Sequence, residues 1–155
     1  MSNGVLAPIV IDHLWVSDIQ FSILGDPAEN MRLNVQEQHR INDTTKDESG
    51  SYHLEGSLLV TADLVDEASP EKPLVHSHAE IRIWVSVPAA IDKSGEDPQR
   101  YLAANAISIA YSHARSSIMV LAGMSPIQSF ILPAVLPYSI LDEGANGEPD
   151  SSEEE

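Results

Sequence analysis

His76 and His78, with Glu80 at the same interval, are the side chains whose spacing could do chemistry. On an extended strand residues i and i+2 share a face, so the two imidazoles stand side by side, a spacing compatible with two metal ligands. Glu80 shares that face, but spacing indicates no third ligand, and the plainer reading is a polar outer surface; no metal is expected. His113 lies near Tyr111 and Arg115 in a helical stretch and is either a titratable interface group or, more commonly for such a position, a structural histidine. Arg115 interrupts an otherwise apolar helix. A buried guanidinium needs partners, so it implies an ion pair or a hydrogen bond to the proline-rich stretch that follows. The chain has no cysteine, which removes disulfides, thiolate nucleophiles and cysteine-ligated zinc. There is no nucleophile elbow, glycine-rich phosphate loop or paired-carboxylate motif, so neither catalysis nor a cofactor is expected.

Charge narrows the partners. Of the 155 residues, 24 are acidic and 8 basic, a formal net charge of −16. Asp142, Glu143, Glu148, Asp150, Glu153, Glu154 and Glu155 crowd the last fourteen positions; without these seven the chain still carries −9. Such a surface repels nucleic acid and anionic membranes and favours basic protein partners or simple solubility. No apolar run reaches the roughly 20 residues that span a bilayer, and Met1 to Pro8 lacks the layout of a signal peptide, so a cytoplasmic protein is expected.

The elements that must position these side chains are legible as four alternating segments. Ile9, Ile11, His13 and Trp15 alternate with Val10, Asp12, Leu14 and Val16, and the segment runs on through Ile19, Phe21 and Ile23 to a turn at Gly25-Asp26-Pro27. Met31, Leu33 and Val35 alternate with polar residues in a second strand, and Asn42 to Gly50 reads as a loose hairpin loop. A third strand sets Tyr52, Leu54, Leu58, Val60, Ala62 and Leu64 on one face. After a loop with Pro70 and Pro73, a fourth sets Val75, Ala79, Ile81, Ile83, Val85 and Val87 opposite His76, His78, Glu80, Arg82 and Trp84. Short connections predict an antiparallel meander of the four strands in an α+β fold.

Asp97 as N-cap and Pro98 at the first position open a long helix expected to end near Ala122, with Gly123 in a left-handed C′ conformation. It carries two apolar stripes. One holds Ile107, Ala110, Tyr111, Ala114, Ile118 and Leu121; the other Leu102, Ala106, Ile109, His113 and Val120. One sheet covers one stripe, so a second chain, or the C-terminal segment folding back, must cover the other. Ile107, Ala110, Tyr111, Ala114 and Ile118 are the predicted oligomer interface. The stretch Ser125 to Leu141 is apolar, but Pro126, Pro133 and Pro137 bar a continuous helix or central strand, leaving an ordered strap or the wall of an apolar groove. The expected layout is an arm over 1–8, one domain over 9–141 and a disordered acidic tail over 142–155.

The run Ile11-Asp12-His13-Leu14-Trp15-Val16-Ser17-Asp18-Ile19-Gln20-Phe21, the strand Leu58-Leu59-Val60-Thr61-Ala62, and Tyr111 with Ala114-Arg115 followed by Gly123, Pro126, Leu132, Pro133 and Val135 together resemble the SecB family of protein-export chaperones. The resemblance implies a homotetrameric dimer of dimers, its helices sandwiched between two eight-stranded sheets, that holds unfolded preproteins without ATP and delivers them to the SecA motor ATPase. It implies client contacts at Trp84, Ile127, Phe130, Ile131, Leu132, Val135, Leu136 and Tyr138, and a motor contact at Asp18. Ser22 stands where the family's pattern has a second acidic residue, and the sequence after Leu141 leaves the family's second helix short or absent. A chaperone dedicated to one partner, such as an antitoxin, and an interaction scaffold of the same fold are the alternatives.

Overall fold

The computed structural model describes residues 8–127 together with 132 and 133. Its elements are β1 (Val10–Ile23), β2 (Met31–Ile41), a short β3 (Thr45–Lys46), β4 (Tyr52–Asp66), β5 (Ser69–Val87), a 3-10 turn (Ala89–Lys93) and α1 (Pro98–Gly123). An α+β fold with an antiparallel sheet on one long helix is what the sequence predicts. The strand order is not. The sheet runs β1-β5-β4-β2, with β3 on the end of β4, so β1 neighbours β5 instead of β2 and the meander becomes a Greek key.

The physical reason lies in the strands themselves. β4 and β5 are the longest and most apolar on one face, and they pair from Tyr52↔Val87 to Asp66↔Ser69 as a hairpin in the centre. β1 and β2, with more polar surface, take the two edges, where unpaired backbone meets water. The connection from Leu24 to Asn30 crosses between them, tied down by the Leu24 and Gly25 amides donating to the Leu74 carbonyl at 2.8 and 3.2 Å and by the Glu67 amide donating to Asn30 at 3.0 Å. Pro70 and Pro73, expected in a loop, lie within β5, where the register shifts around Val65 accommodate them.

Two further shifts in register, between Ile11 and His13 and between Val16 and Asp18, change the phase of β1. Each extra residue turns the following side chains to the other face. Leu14 opposite Ile83, Val16 opposite Ile81 and Phe21 opposite Ser77 therefore all lie on the helix side, while His13 and Trp15 lie on the outer side.

The helix side is the core. Leu58, Val60, Ile81 and Ile83 of the sheet meet Leu102, Ala106 and Ile107 of α1, all essentially without exposure. Burying each large side chain is worth about 1.5–3 kcal/mol. The five positions expected at an oligomer interface, Ile107, Ala110, Tyr111, Ala114 and Ile118, are 0–4 % exposed and belong to this same core. They face the chain's own sheet together with Leu102 and Ala106 of the other stripe, so the sheet covers part of both. The helical surface left open is different: Ser112, His113, Ser116 and Val120 are exposed, Val120 at 64 %.

Asp97 caps α1 as expected, accepting from the Gln99 amide at 3.3 Å, with Pro98 in the first turn. The other end differs. Gly123 stays within the helix and Met124 closes it in a right-handed conformation, its amide donating back to Leu121, because the Ser125 hydroxyl and amide occupy the Ala122 carbonyl and no left-handed cap is needed.

Candidate functional site: strap anchor and outer sheet face

Two regions carry the polar chemistry, on opposite sides of the sheet. The first is where the chain returns past α1. Tyr111 and Arg115, one turn apart on α1, both donate to the returning backbone: Arg115 Nε to the Leu132 carbonyl at 2.8 Å and the Tyr111 hydroxyl to the Pro133 carbonyl. This is the hydrogen bond to the strap that Arg115 implies. Burial pushes the Tyr111 phenol up from its ordinary range, the Glu37 carboxylate adds to that, and Arg115 opposes it. A phenol held neutral is a donor, which suits its bond to a carbonyl.

Ile127 and Leu132, expected to touch clients, are 4 % and 0 % exposed within the core. Both belong to the core formed by the sheet and α1. Phe130, Ile131, Val135, Leu136 and Tyr138 lie outside the described residues, as do the acidic tail and nearly all of the N-terminal arm.

The second region is the outer face, which the register lays out in rungs of directly opposed residues. One rung reads Ser22, His76, Asp63; the next Gln20, His78, Thr61; then Asp18, Glu80, Leu59; then Trp15, Arg82, Ser57; then His13, Trp84, Glu55. His76 and His78 share this face as their spacing requires, with ring centres 5.8 Å apart. Each is taken up by its own carboxylate, His76 Nδ1 with Asp63 at 2.6 Å and His78 Nε2 with Asp18 at 2.8 Å. Among the described residues no group of three or more histidines and acidic side chains could hold a metal ion.

Asp18, the expected motor contact, is exposed on this face opposite Glu80, whose carboxylate accepts from the Ser17 hydroxyl at 2.6 Å. Trp84 is also here. It sits edge-on to His13 at 5.0 Å and to Trp15 at 5.9 Å, on the side of the sheet away from Ile127 and Leu132. Among the described residues, Trp84 thus lies on the other side of the sheet from Ile127 and Leu132, since the strand alternation that exposes Trp84 is the one that turns Val85 and Ile83 towards the helix.

Beyond the His13-Trp84-Glu55 rung lies a cleft of about 430 Å³. Its rim is the segment Asn42–Thr45, held by the Gln99 side chain, which accepts from Thr44 and donates to the Asn42 carbonyl at 3.3 Å. The loop that follows is ordered by Asp47, whose carboxylate accepts from Ser49 and Ser51 amides and bonds His53 Nε2 at 2.7 Å. The Ser49 hydroxyl, then His53 and the two amides, hold Asp47 well below the usual carboxylate range. The segment joins two antiparallel strands, as a hairpin loop should, but it is not loose. Its signal, Asp47 followed by serines two and four residues on, is an Asx-type turn that also pairs Thr45–Lys46 with β4.

No family model and no curated protein sequence matches this chain. Among solved structures it is similar to a SecB-like chaperone of Mycobacterium tuberculosis determined in complex with a ChAD peptide from the HigA1 antitoxin. The TM-score is 0.59 at 12% identity, over 82% of this chain and 89% of that one. At that identity the likeness is one of fold: the chain has a SecB-like fold.

Proposed function

We propose that this chain is a chaperone that binds unfolded polypeptide segments and holds them without nucleotide or metal. The observation that supports this best is the fold likeness, covering most of both chains, to a SecB-like chaperone solved with an antitoxin peptide bound. In this reading Arg115 and Tyr111 fix the strap, Leu132 and Ile127 anchor it, and Phe130, Ile131, Val135, Leu136 and Tyr138 supply apolar client contacts. Assembly as a dimer of dimers, residence in the cytoplasm and delivery to a SecA-type motor at Asp18 belong to the same proposal. The bound antitoxin peptide of the neighbour favours a second reading, in which the chain serves one dedicated partner.

The test is aggregation of several unrelated unfolded clients at stoichiometric chaperone. Wild type should suppress it with neither ATP nor metal added, and Phe130→Asp or Leu136→Asp should abolish the effect while light scattering reports an unchanged assembly. Leu132→Asp is unsuitable, since a carboxylate buried there destabilises the fold itself. Suppression for no client would rule out a general holdase and leave the dedicated partner.

A further inference from the structure

We propose that the outer-face cleft binds a cationic side chain, arginine or lysine, carried by an extended segment of a partner polypeptide. The inference does not rest on the chaperone reading. At about 430 Å³ the cleft falls within the roughly 300–1,000 Å³ typical of ligand sites. Trp84, 39 % exposed, lines it with His13 set edge-on at 5.0 Å, so an indole is open to a ligand. The carboxylates of Asp12, Asp43 and Glu55 also line it, and no lysine or arginine does.

Two of these three charges are not spent elsewhere. The side chains of Asp43 and Glu55 make no ion pair or hydrogen bond among the described residues, whereas Asp12 accepts from Ser86 at 3.3 Å and stands 3.9 Å from His53. Lys46, the lysine of the adjoining loop, is turned away to Asp92 at 3.9 Å and to the Tyr52 ring at 5.1 Å. A cation in the cleft gains an aromatic partner and carboxylates together, in a recess where water competes less.

The charge also selects the occupant. The chain's own C-terminal segment carries seven acidic residues, and a second copy brings −16, so both are repelled, as is nucleic acid. A polypeptide fits better than a free amine because the cleft continues past Asn42 and Glu55 into a second, of about 230 Å³, bounded by Arg40 and Arg82. An extended segment can place a cation against Trp84 and lay backbone carbonyls or an acidic side chain towards the two guanidiniums. The site is separate from Asp18: His13 pairs with Trp84 and Asp18 with Glu80, four residues apart along β5, roughly 13 Å at strand rise.

The test uses the full chain and blocked five-residue alanine peptides with a central arginine or glutamine, read by the NMR shift of the Trp84 indole N–H. The arginine peptide should bind and shift that resonance, and the glutamine peptide should bind about tenfold or more weakly. By calorimetric titration, which also serves the variant without the indole, Asp43→Asn with Glu55→Gln should weaken the arginine peptide about tenfold, and Trp84→Leu, which keeps apolar bulk, about fivefold. Asp26→Asn with Glu71→Gln makes the same change in net charge at positions that line neither cleft, Asp26 beyond β1 and Glu71 near the start of β5, and should leave binding unchanged. The proposal is overturned if the two peptides bind alike, if the distant pair weakens binding as much as the cleft pair, or if the cleft variants bind as wild type does. It is overturned in favour of a small polyamine if free spermidine binds as tightly as the peptide.

Discussion

The two faces of this sheet are built from the same strands, yet they solve opposite problems. On the helix side Leu58, Val60, Ile81 and Ile83 are removed from water, and the buried Ser77 hydroxyl is satisfied by the Ala62 carbonyl at 2.7 Å. On the outer side the alternate residues of the same strands keep charge in water, His76 and His78 each beside an aspartate and Trp84 open to solvent. One face carries the free energy of folding, and the other is at liberty to recognise something. The largest expected effect sharpens that contrast: Ile81→Ala should cost about 2–5 kcal/mol in urea unfolding, whereas Gln36→Ala on the outer face of β2 should change stability by no more than about 0.5 kcal/mol. Comparable costs at the two sites would break the comparison.

Next in size is the strap. Arg115→Ala removes the charged donor to the Leu132 carbonyl and should cost about 1.5–3 kcal/mol. Because arginine and leucine act on one segment, combining it with Leu132→Ala should cost less than the two changes summed. Additive costs in that double-mutant cycle would separate the strap from the core it appends to. Smaller again is the helix start, where Asp97→Ala should cost about 1 kcal/mol by freeing the Gln99 amide.

Reading the sequence alone, the helix-side face is the legible one, because burial writes a period into a strand. Leu54 through Leu64 and Val75 through Val87 announce both centre strands, and Asp97-Pro98 announces the helix. Strand order is a different matter. Nothing local tells β1 to pair with β5 across the sheet, since that choice depends on which apolar surfaces compete for the centre. The bulges at Asp12 and Ser17 were equally hidden, and with them the placing of His13 and Trp15 outside.

The interface residues show the same limit from the helix. Ile107, Ala110, Tyr111, Ala114 and Ile118 form an apolar stripe whichever partner covers it, and only the tertiary structure assigns that stripe to the chain's own sheet. Arg115 fared better because its requirement is chemical: a guanidinium within an apolar helix must find an acceptor, and the nearest polar backbone was the strap. The outer-face cleft was invisible, as it depends on Gln99 of α1 holding the segment around Thr44 against the end of the sheet.

The smallest effect, on pH, distinguishes the two faces by where stability is lost. His39 lies on the helix side of β2, opposite Leu58 and two residues from Glu37, and burial lowers its pKa from the ordinary 6.5. The unfolded chain therefore binds the proton more readily than the folded one, so this contribution is complete above pH 6.5 and declines as pH falls from there towards the folded pKa. Asp47, on the exposed loop of the other region, has its pKa depressed by the Ser49 hydroxyl, His53 and the Ser51 and Ser49 amides. Its contribution is complete above its ordinary 3.8 and declines only as pH falls below that. The two windows do not overlap above pH 3.8. His39→Gln should accordingly flatten the stability profile just below pH 6.5 and leave the acid limb alone, whereas Asp47→Asn should do the reverse, as read from urea midpoints across the pH range. If His39→Gln leaves the slope below pH 6.5 unchanged, the desolvated side of the sheet is not where that proton is bound.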